Sequence, residues 1–167
     1  GKYPVIYVTF KDVKCDSWED TYDLICQILR NEVQRHRELL NGDRISAYDK
    51  KYLEEVLEGT ASESDMAMVF LNLSRMLHAH YETAPIIIID EYDTPIQQGH
   101  TLGYYDKVIG FMRNLFSGGL KDNPHLSFGF LTGILRVAKE SIFSGLNNIT
   151  INSILDNKYS SYSVSYT

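Results

Sequence analysis

The sequence predicts an α/β fold built on a mainly parallel β-sheet. Apolar strand-like runs alternate with segments of helical periodicity, which is the pattern of βαβ units. Residues 86–89 are four isoleucines without polar alternation, as expected for a central parallel strand covered on both faces. Helices on both faces make a three-layer αβα sandwich. Residues 1–167 are expected to form a single unit, because the sequence shows neither an internal repeat nor an interdomain linker.

The first half of the chain predicts one strand and three helices. Residues 5–10 (VIYVTF) are β-branched and aromatic and form the first strand. A helix begins after Ser17, whose hydroxyl can cap a free backbone N–H, and it is expected to run to Gly42. A second helix covers residues 48–58. The third opens at Ser62 and carries one apolar face, formed by Met66, Val69, Phe70, Leu73, Met76 and Leu77.

The second half predicts further strands around one long helix. After residues 86–89, a loop with Gly99 and Gly103 is expected to lead into a helix over residues 105–116. Residues 127–132 (SFGFLT) form the next strand, and residues 149–154 are a candidate fourth strand. The Ser/Tyr-rich residues 159–167 show no pattern of a buried core.

Composition excludes several classes of protein. The net charge of −6 argues against a free-standing nucleic-acid binder, which usually has a basic excess. Two cysteines, Cys15 and Cys26, cannot build a disulfide framework, so a reducing cytoplasm is expected. The apolar run at residues 85–89 is too short to cross a membrane, and no export signal opens the chain.

The strongest candidate site is the acid pair that ends the isoleucine run. Asp90 and Glu91 come at the carboxyl end of the predicted strand, the edge at which open α/β sheets bind ligands. In a nucleotide hydrolase, Asp90 would hold a water of the Mg²⁺ shell and Glu91 would act as the general base. The alternative is that both are solvated acids of a loop, since an apolar run followed by Asp-Glu is common by chance.

The strand that follows in sequence supplies polar residues to the same edge. Thr132 ends it, where a hydroxyl can contact the γ-phosphate or the attacking water. Arg136 lies four residues further on, and its guanidinium can pair bidentately with phosphate oxygens. It can equally form a structural ion pair with Asp90, Glu91 or Asp93.

Two other kinds of site are not supported. The phosphate-binding string G-x-x-x-x-G-K-[ST] is absent, so this segment alone is not expected to catalyse hydrolysis. His78 and His80 lie on a predicted helix, where residues two apart do not share a face. His36, His100 and His125 show no metal-ligand spacing with one another or with cysteine.

Two long motifs resemble a bacterial family of AAA-ATPase-like proteins, which often carry a C-terminal nuclease-like domain of the PD-(D/E)XK type. The motifs are residues 90–95 (DEYDTP) and residues 131–148 (LTGILRVAKESIFSGLNN). Shorter similar segments are residues 3–7, 10–13, 111–115 and 120–124. The resemblance implies an incomplete P-loop NTPase core of the AAA type, which covers the part from the second strand to the sensor strand and beyond.

By this resemblance, Asp90 and Glu91 are the Walker B pair, Thr132 is a sensor-like residue, and Arg136 is a phosphate-binding or intersubunit arginine. ATP and Mg²⁺ are the implied cofactors. The expected partners are an upstream phosphate loop and a downstream nuclease-like domain of the same protein, with a homo-oligomer possible. Nucleic acid is expected to bind only through other domains.

We therefore consider three functions for the chain. The first is part of an ATP-binding and ATP-hydrolysing domain. The second is a non-hydrolysing nucleotide-binding or protein-interaction module that regulates an attached nuclease-like effector. The third, nuclease chemistry by Asp90, Glu91 and Asp93, is disfavoured by the acidic balance and by the lack of a paired catalytic lysine.

Overall fold

A computed structural model describes residues 2–134. The strands are β1 (Val5–Thr9), β2 (Ile86–Asp90) and β3 (Phe128–Leu131). The α-helices are α1 (Trp18–Arg35), α2 (Ala47–Glu58), α3 (Glu63–Ala67), α4 (Val69–Tyr81), α5 (Thr94–Leu102) and α6 (Tyr105–Leu120). A short 3₁₀ helix, Arg37–Asn41, follows α1.

The three strands form one parallel sheet in the order β1-β2-β3, which confirms the predicted α/β class and the central position of β2. The register pairs Thr9 with Asp90, and Ile89 with Leu131. Because parallel strands end at the same edge, this register brings the residues after β2 beside those after β3.

The predicted helix starts are confirmed by their caps. Ser17 accepts a hydrogen bond from the N–H of Asp20, and Ser62 forms a capping box with Asp65. Gly59 ends α2 in the left-handed region, at φ 78°, a conformation that glycine adopts without the steric cost of a Cβ.

The predicted loop before α6 is wrong. Residues 94–102 form helix α5, with Pro95 in its first turn, where a missing N–H costs no intrahelical bond. Gly99 lies inside this helix. A Cβ at this position would come within 2.6 Å of Val108 on α6. The glycine therefore permits close helix packing and does not mark a loop.

Two predicted helices are divided. The first ends at Arg35, and His36 separates it from the 3₁₀ helix that reaches Asn41. The third is interrupted at Met68, whose N–H bonds to the carbonyl of Asp65, three residues back, as in a tight 3₁₀ turn.

The two faces of the sheet differ in the described part of the chain. One face packs against helices α4 and α6. Its residues Ile6, Val8, Ile87 and Ile89 are buried, and Leu131 is half-buried. On the opposite face, the side chains of Tyr7, Phe128 and Phe130 are 45%, 59% and 49% exposed. Residues 2–134 thus form a helical layer against one face of the sheet. The prediction that β2 is covered on both faces is not met within these residues.

Helix α1 covers the outer edge of β1 through one buried acid. Glu32 is 5% exposed, and its carboxylate accepts a hydrogen bond of 2.8 Å from the backbone N–H of Tyr7. It also binds the guanidinium of Arg35 at 2.7 Å and the imidazole of His36 at 3.1 Å. Both basic side chains reach the carbonyl of Val5. The cluster therefore satisfies polar backbone groups at a strand edge.

Within residues 2–134, none of the helices is long and apolar enough to cross a bilayer. The candidate strand at residues 149–154 and the Ser/Tyr-rich tail lie outside the described residues.

Candidate functional site at the carboxyl edge of the sheet

Polar side chains from all three strands meet where the sheet ends. Thr132 donates a hydrogen bond of 2.5 Å from its hydroxyl to Oδ1 of Asp90. The hydroxyl of Thr9 donates one of 3.1 Å to Oδ2 of the same carboxylate. The parallel register produces this row, because Thr9 and Asp90 are paired and Thr132 follows the last residue of β3. Asp90 is thereby oriented from both sides and stays half-buried.

Glu91 turns the chain out of the sheet in an uncommon backbone conformation. Its φ is 49°, in the left-handed region that residues other than glycine rarely occupy. The hydroxyl oxygen of Thr132 accepts its N–H at 3.1 Å, and the hydroxyl of Thr94 donates to its carboxylate at 3.3 Å. Such conformations concentrate at functional sites, where the surrounding contacts hold them.

Asp93 ties the two loops of this edge together. Its carboxylate is buried at 1% exposure and accepts hydrogen bonds from the N–H of Ile134, at 2.8 Å, and from the amide of Gln97. Gly133 lies directly against it. A Cβ on Gly133 would stand 2.8 Å from Oδ1 of Asp93 and 2.5 Å from the ring of Tyr92. Glycine is therefore required for the close approach of the two loops.

Burial also affects the neighbouring phenol. It raises the pKa of Tyr92 to about 12, and the carboxylate of Asp93 adds to the shift. Tyr92 is therefore neutral at physiological pH, and its ring packs edge-on against Phe116 in the core.

The donor set suits a hard cation. Among residues 2–134, neither Asp90 nor Glu91 forms a salt bridge, so within these residues no protein cation neutralises their charge. Carboxylate and hydroxyl oxygens are the ligands that Mg²⁺ prefers. In the same residues no cluster of three or more metal-ligating side chains occurs.

The structure brings together three of the four predicted site residues: Asp90, Glu91 and Thr132. Arg136 lies outside the described residues. Sequence reasoning missed Thr9, although its position as the last residue of β1 was a usable signal. It considered Asp93 as a third acid or as an ion-pair partner of Arg136, whereas the burial of Asp93 makes it a structural support for the edge.

The fold and the site define an α/β protein with an acid pair and a threonine at the carboxyl edge of a parallel sheet. A family profile described as "Predicted AAA-ATPase" matches residues 1–143. The chain therefore belongs to this AAA-ATPase-like family.

A curated relative shares part of the sequence. The "Uncharacterized protein in vnfD 5'region" of Azotobacter chroococcum mcd 1 is 32% identical over 108 residues, which are 64% of this chain and 21% of that protein. The chain thus spans about a fifth of the length of the curated relative it matches. No solved structure shows significant similarity.

Proposed function

We propose that the chain is the part of an ATP-binding and ATP-hydrolysing domain that carries the Walker B acids and the sensor residue. The observation that carries this proposal is the row of Thr9, Asp90 and Thr132 with Glu91 beside it. Membership of the AAA-ATPase-like family supports the same chemistry. The P-loop NTPase fold belongs to this proposal, as does a second layer of helices over the open face of the sheet.

Each residue then has a distinct task. Asp90 would hold Mg²⁺ through water, and the hydroxyls of Thr9 and Thr132 keep its carboxylate in position. Glu91 takes the proton of the water that attacks the γ-phosphorus. The metal, when bound with ATP, neutralises phosphate charge in the transition state. Positioning and charge stabilisation would supply most of the rate enhancement.

The proposed ATPase also needs groups from outside the described residues. A phosphate-binding loop from another segment of the same protein would hold the β- and γ-phosphates. Arg136 would contact phosphate in the same subunit or in a neighbouring subunit of a homo-oligomer. A nuclease-like domain would be the downstream effector.

The test is Glu91→Gln in the full-length protein. Removal of the general base should lower the rate of ATP hydrolysis by roughly 10²–10⁴-fold and leave ATP affinity nearly unchanged. Glu82→Gln is the matched control, because Glu82 also has a positive φ, of 53°, but lies on the surface in an ion pair with Arg44. Hydrolysis at the normal rate by Glu91→Gln would show that the proposed mechanism is wrong.

A non-hydrolysing nucleotide switch is the second candidate. One observation favours it: the hydroxyl of Thr132 donates to Asp90 and accepts from the N–H of Glu91. In this arrangement its only proton is not directed at a phosphate. Tight ATP binding without turnover in the wild-type protein would establish the switch and exclude the hydrolase.

A further inference from the structure

The motif of residues 90–95 contains a threonine to which the proposed mechanism gives no task. Thr94 is the first residue of α5 and follows Glu91 by three positions. Its hydroxyl donates a hydrogen bond to Oε2 of Glu91 at 3.3 Å, and its backbone N–H donates to the carbonyl of Glu91 at 3.2 Å. Thr94 therefore contacts both the backbone and the side chain of this acid.

Both residues of this contact are held by ordered parts of the site. The N–H of Glu91 is bound to the hydroxyl oxygen of Thr132 at 3.1 Å. Thr94 belongs to the first turn of α5, where the buried Pro95 fixes the backbone. The hydroxyl of Thr94 is thus presented by a helix, and groups carried on helices are placed more precisely than groups carried on loops.

The contact occupies one carboxylate oxygen of Glu91 and leaves the other available. Among residues 2–134, Oε1 of Glu91 accepts no hydrogen bond, whereas Oε2 accepts the one from Thr94. Glu91 is half-buried, so solvent reaches its side chain. A water molecule can therefore bind to Oε1 while Oε2 is held in place.

We propose that Thr94 is the positioning residue of the general base: its hydroxyl holds Oε2 of Glu91 and thereby directs Oε1 at the water that attacks ATP. This inference rests on the proposed hydrolysis by Glu91. In that step the water oxygen bonds to the γ-phosphorus, and the bond from the γ-phosphorus to the bridging oxygen breaks. The electron pair of that bond leaves with ADP, and the proton of the water passes to Oε1.

The expected contribution of Thr94 is to the chemical step and not to binding. Displacement of a reacting group by about 1 Å can cost roughly 10²-fold in rate. Without the hydroxyl, the carboxylate of Glu91 is free to turn about its side-chain bonds. The backbone hydrogen bond from Thr94 does not depend on the hydroxyl, so the turn itself should persist.

The first experiment measures kcat and KM for ATP hydrolysis by the full-length protein. Thr94→Val removes the hydroxyl and keeps the branched shape, whereas Thr94→Ser keeps the hydroxyl. Thr101→Val is the matched control, because Thr101 lies in the same helix and its hydroxyl donates to the carbonyl of Gln97 at 3.0 Å. We expect Thr94→Val to lower kcat by roughly tenfold or more with KM nearly unchanged. Thr94→Ser and Thr101→Val should stay close to the wild type.

The second experiment detects the contact without ATP. Glutamate labelled with ¹³C at Cδ gives carboxyl NMR signals of the nucleotide-free protein, and the signal of Glu91 is the one that Glu91→Gln removes. This signal should move in Thr94→Val and stay near its wild-type position in Thr94→Ser and Thr101→Val. Should Thr94→Val not fold, Thr94→Ala replaces it, since it also lacks the hydroxyl.

The outcomes separate this inference from the function on which it rests. Hydrolysis at the normal rate by Glu91→Gln would overturn the proposed function and this inference with it. Slow hydrolysis by Glu91→Gln together with a normal kcat in Thr94→Val would overturn the role of Thr94 alone. A Glu91 signal that does not move in Thr94→Val, or an equal loss of kcat in Thr94→Ser, would also contradict it.

Discussion

Two acidic residues beside the sheet, Glu32 and Asp90, have opposite surroundings. Glu32 is 5% exposed and meets two basic side chains, Arg35 and His36, and a backbone N–H. Burial by itself raises the pKa of Glu32, but the hydrogen bonds from His36, Arg35 and Tyr7 outweigh it and hold the pKa below its usual range. Asp90 is half-buried, and among the described residues its carboxylate receives hydrogen bonds only from two hydroxyls.

This difference separates a structural carboxylate from a candidate functional one. The charge of Glu32 is neutralised by Arg35 in its own helix, and its carboxylate also bonds to His36 and to the N–H of Tyr7. Asp90 is oriented, but within the described residues its charge is not neutralised, which is the condition in which a carboxylate can attract a cation. Substitution of Glu32 should therefore mainly lower stability, whereas substitution of Asp90 should mainly weaken ligand binding.

The largest effect on stability is expected for Glu32→Gln. The substitution leaves Arg35 without its counter-charge and His36 without its carboxylate partner, and it should lower the free energy of unfolding by roughly 2–4 kcal/mol. Urea denaturation measures this. The matched control is Glu55→Gln, in an exposed pair with Lys51, which should change stability by less than about 0.5 kcal/mol. Equal losses of stability in Glu32→Gln and Glu55→Gln would contradict the structural role of Glu32.

The lowered pKa of Glu32 also predicts that stability depends on pH. Because folding lowers the pKa of Glu32 below its ordinary 4.5, its contribution is fully present above that pH and is lost as the pH falls through the folded value. The urea midpoint of the wild type should thus fall more steeply below pH 4.5 than that of Glu32→Gln. Parallel pH profiles would contradict this assignment.

A smaller loss is expected for Gly133→Ala at the carboxyl edge. The new methyl group collides with Tyr92 and Asp93, which should cost about 1–3 kcal/mol in urea denaturation. Gly110→Ala is the control with the opposite sign. A Cβ at Gly110 meets nothing within 4 Å, so alanine should stabilise helix α6 by about 0.5–1 kcal/mol.

The smallest effect on stability is expected for Thr9→Val. It removes one hydrogen bond to Asp90 at nearly constant volume, which should cost about 1 kcal/mol. In the full-length protein, it should also weaken Mg²⁺-dependent ATP binding, since Asp90 loses one of its two orienting partners. Thr101→Val, which removes an exposed hydrogen bond within α5, is the control that should leave ATP binding unchanged.

Local signals predicted much of the fold. The serine caps, the helix stop at Gly59 and the isoleucine run of β2 are encoded within a few residues of each element. The predicted parallel arrangement also indicates that Asp90, Glu91 and Thr132 lie at one edge of the sheet.

What the sequence could not indicate depends on contacts between distant segments. Gly99 resembles a loop residue until Val108 of the neighbouring helix is placed against it. His78 and His125 are 47 residues apart, and only the sheet brings them together. The burial of Asp93 likewise follows from the close approach of Gly133.

The most direct test of the central claim is the Mg²⁺ dependence of ATP binding by the full-length protein. The dissociation constant is measured with Mg²⁺ and with EDTA for the wild type and for Asp90→Asn. If the charge of Asp90 serves the metal, the gain in affinity from Mg²⁺ should shrink by roughly tenfold or more in the variant, with unfolding little changed. An identical gain in both proteins would contradict the account.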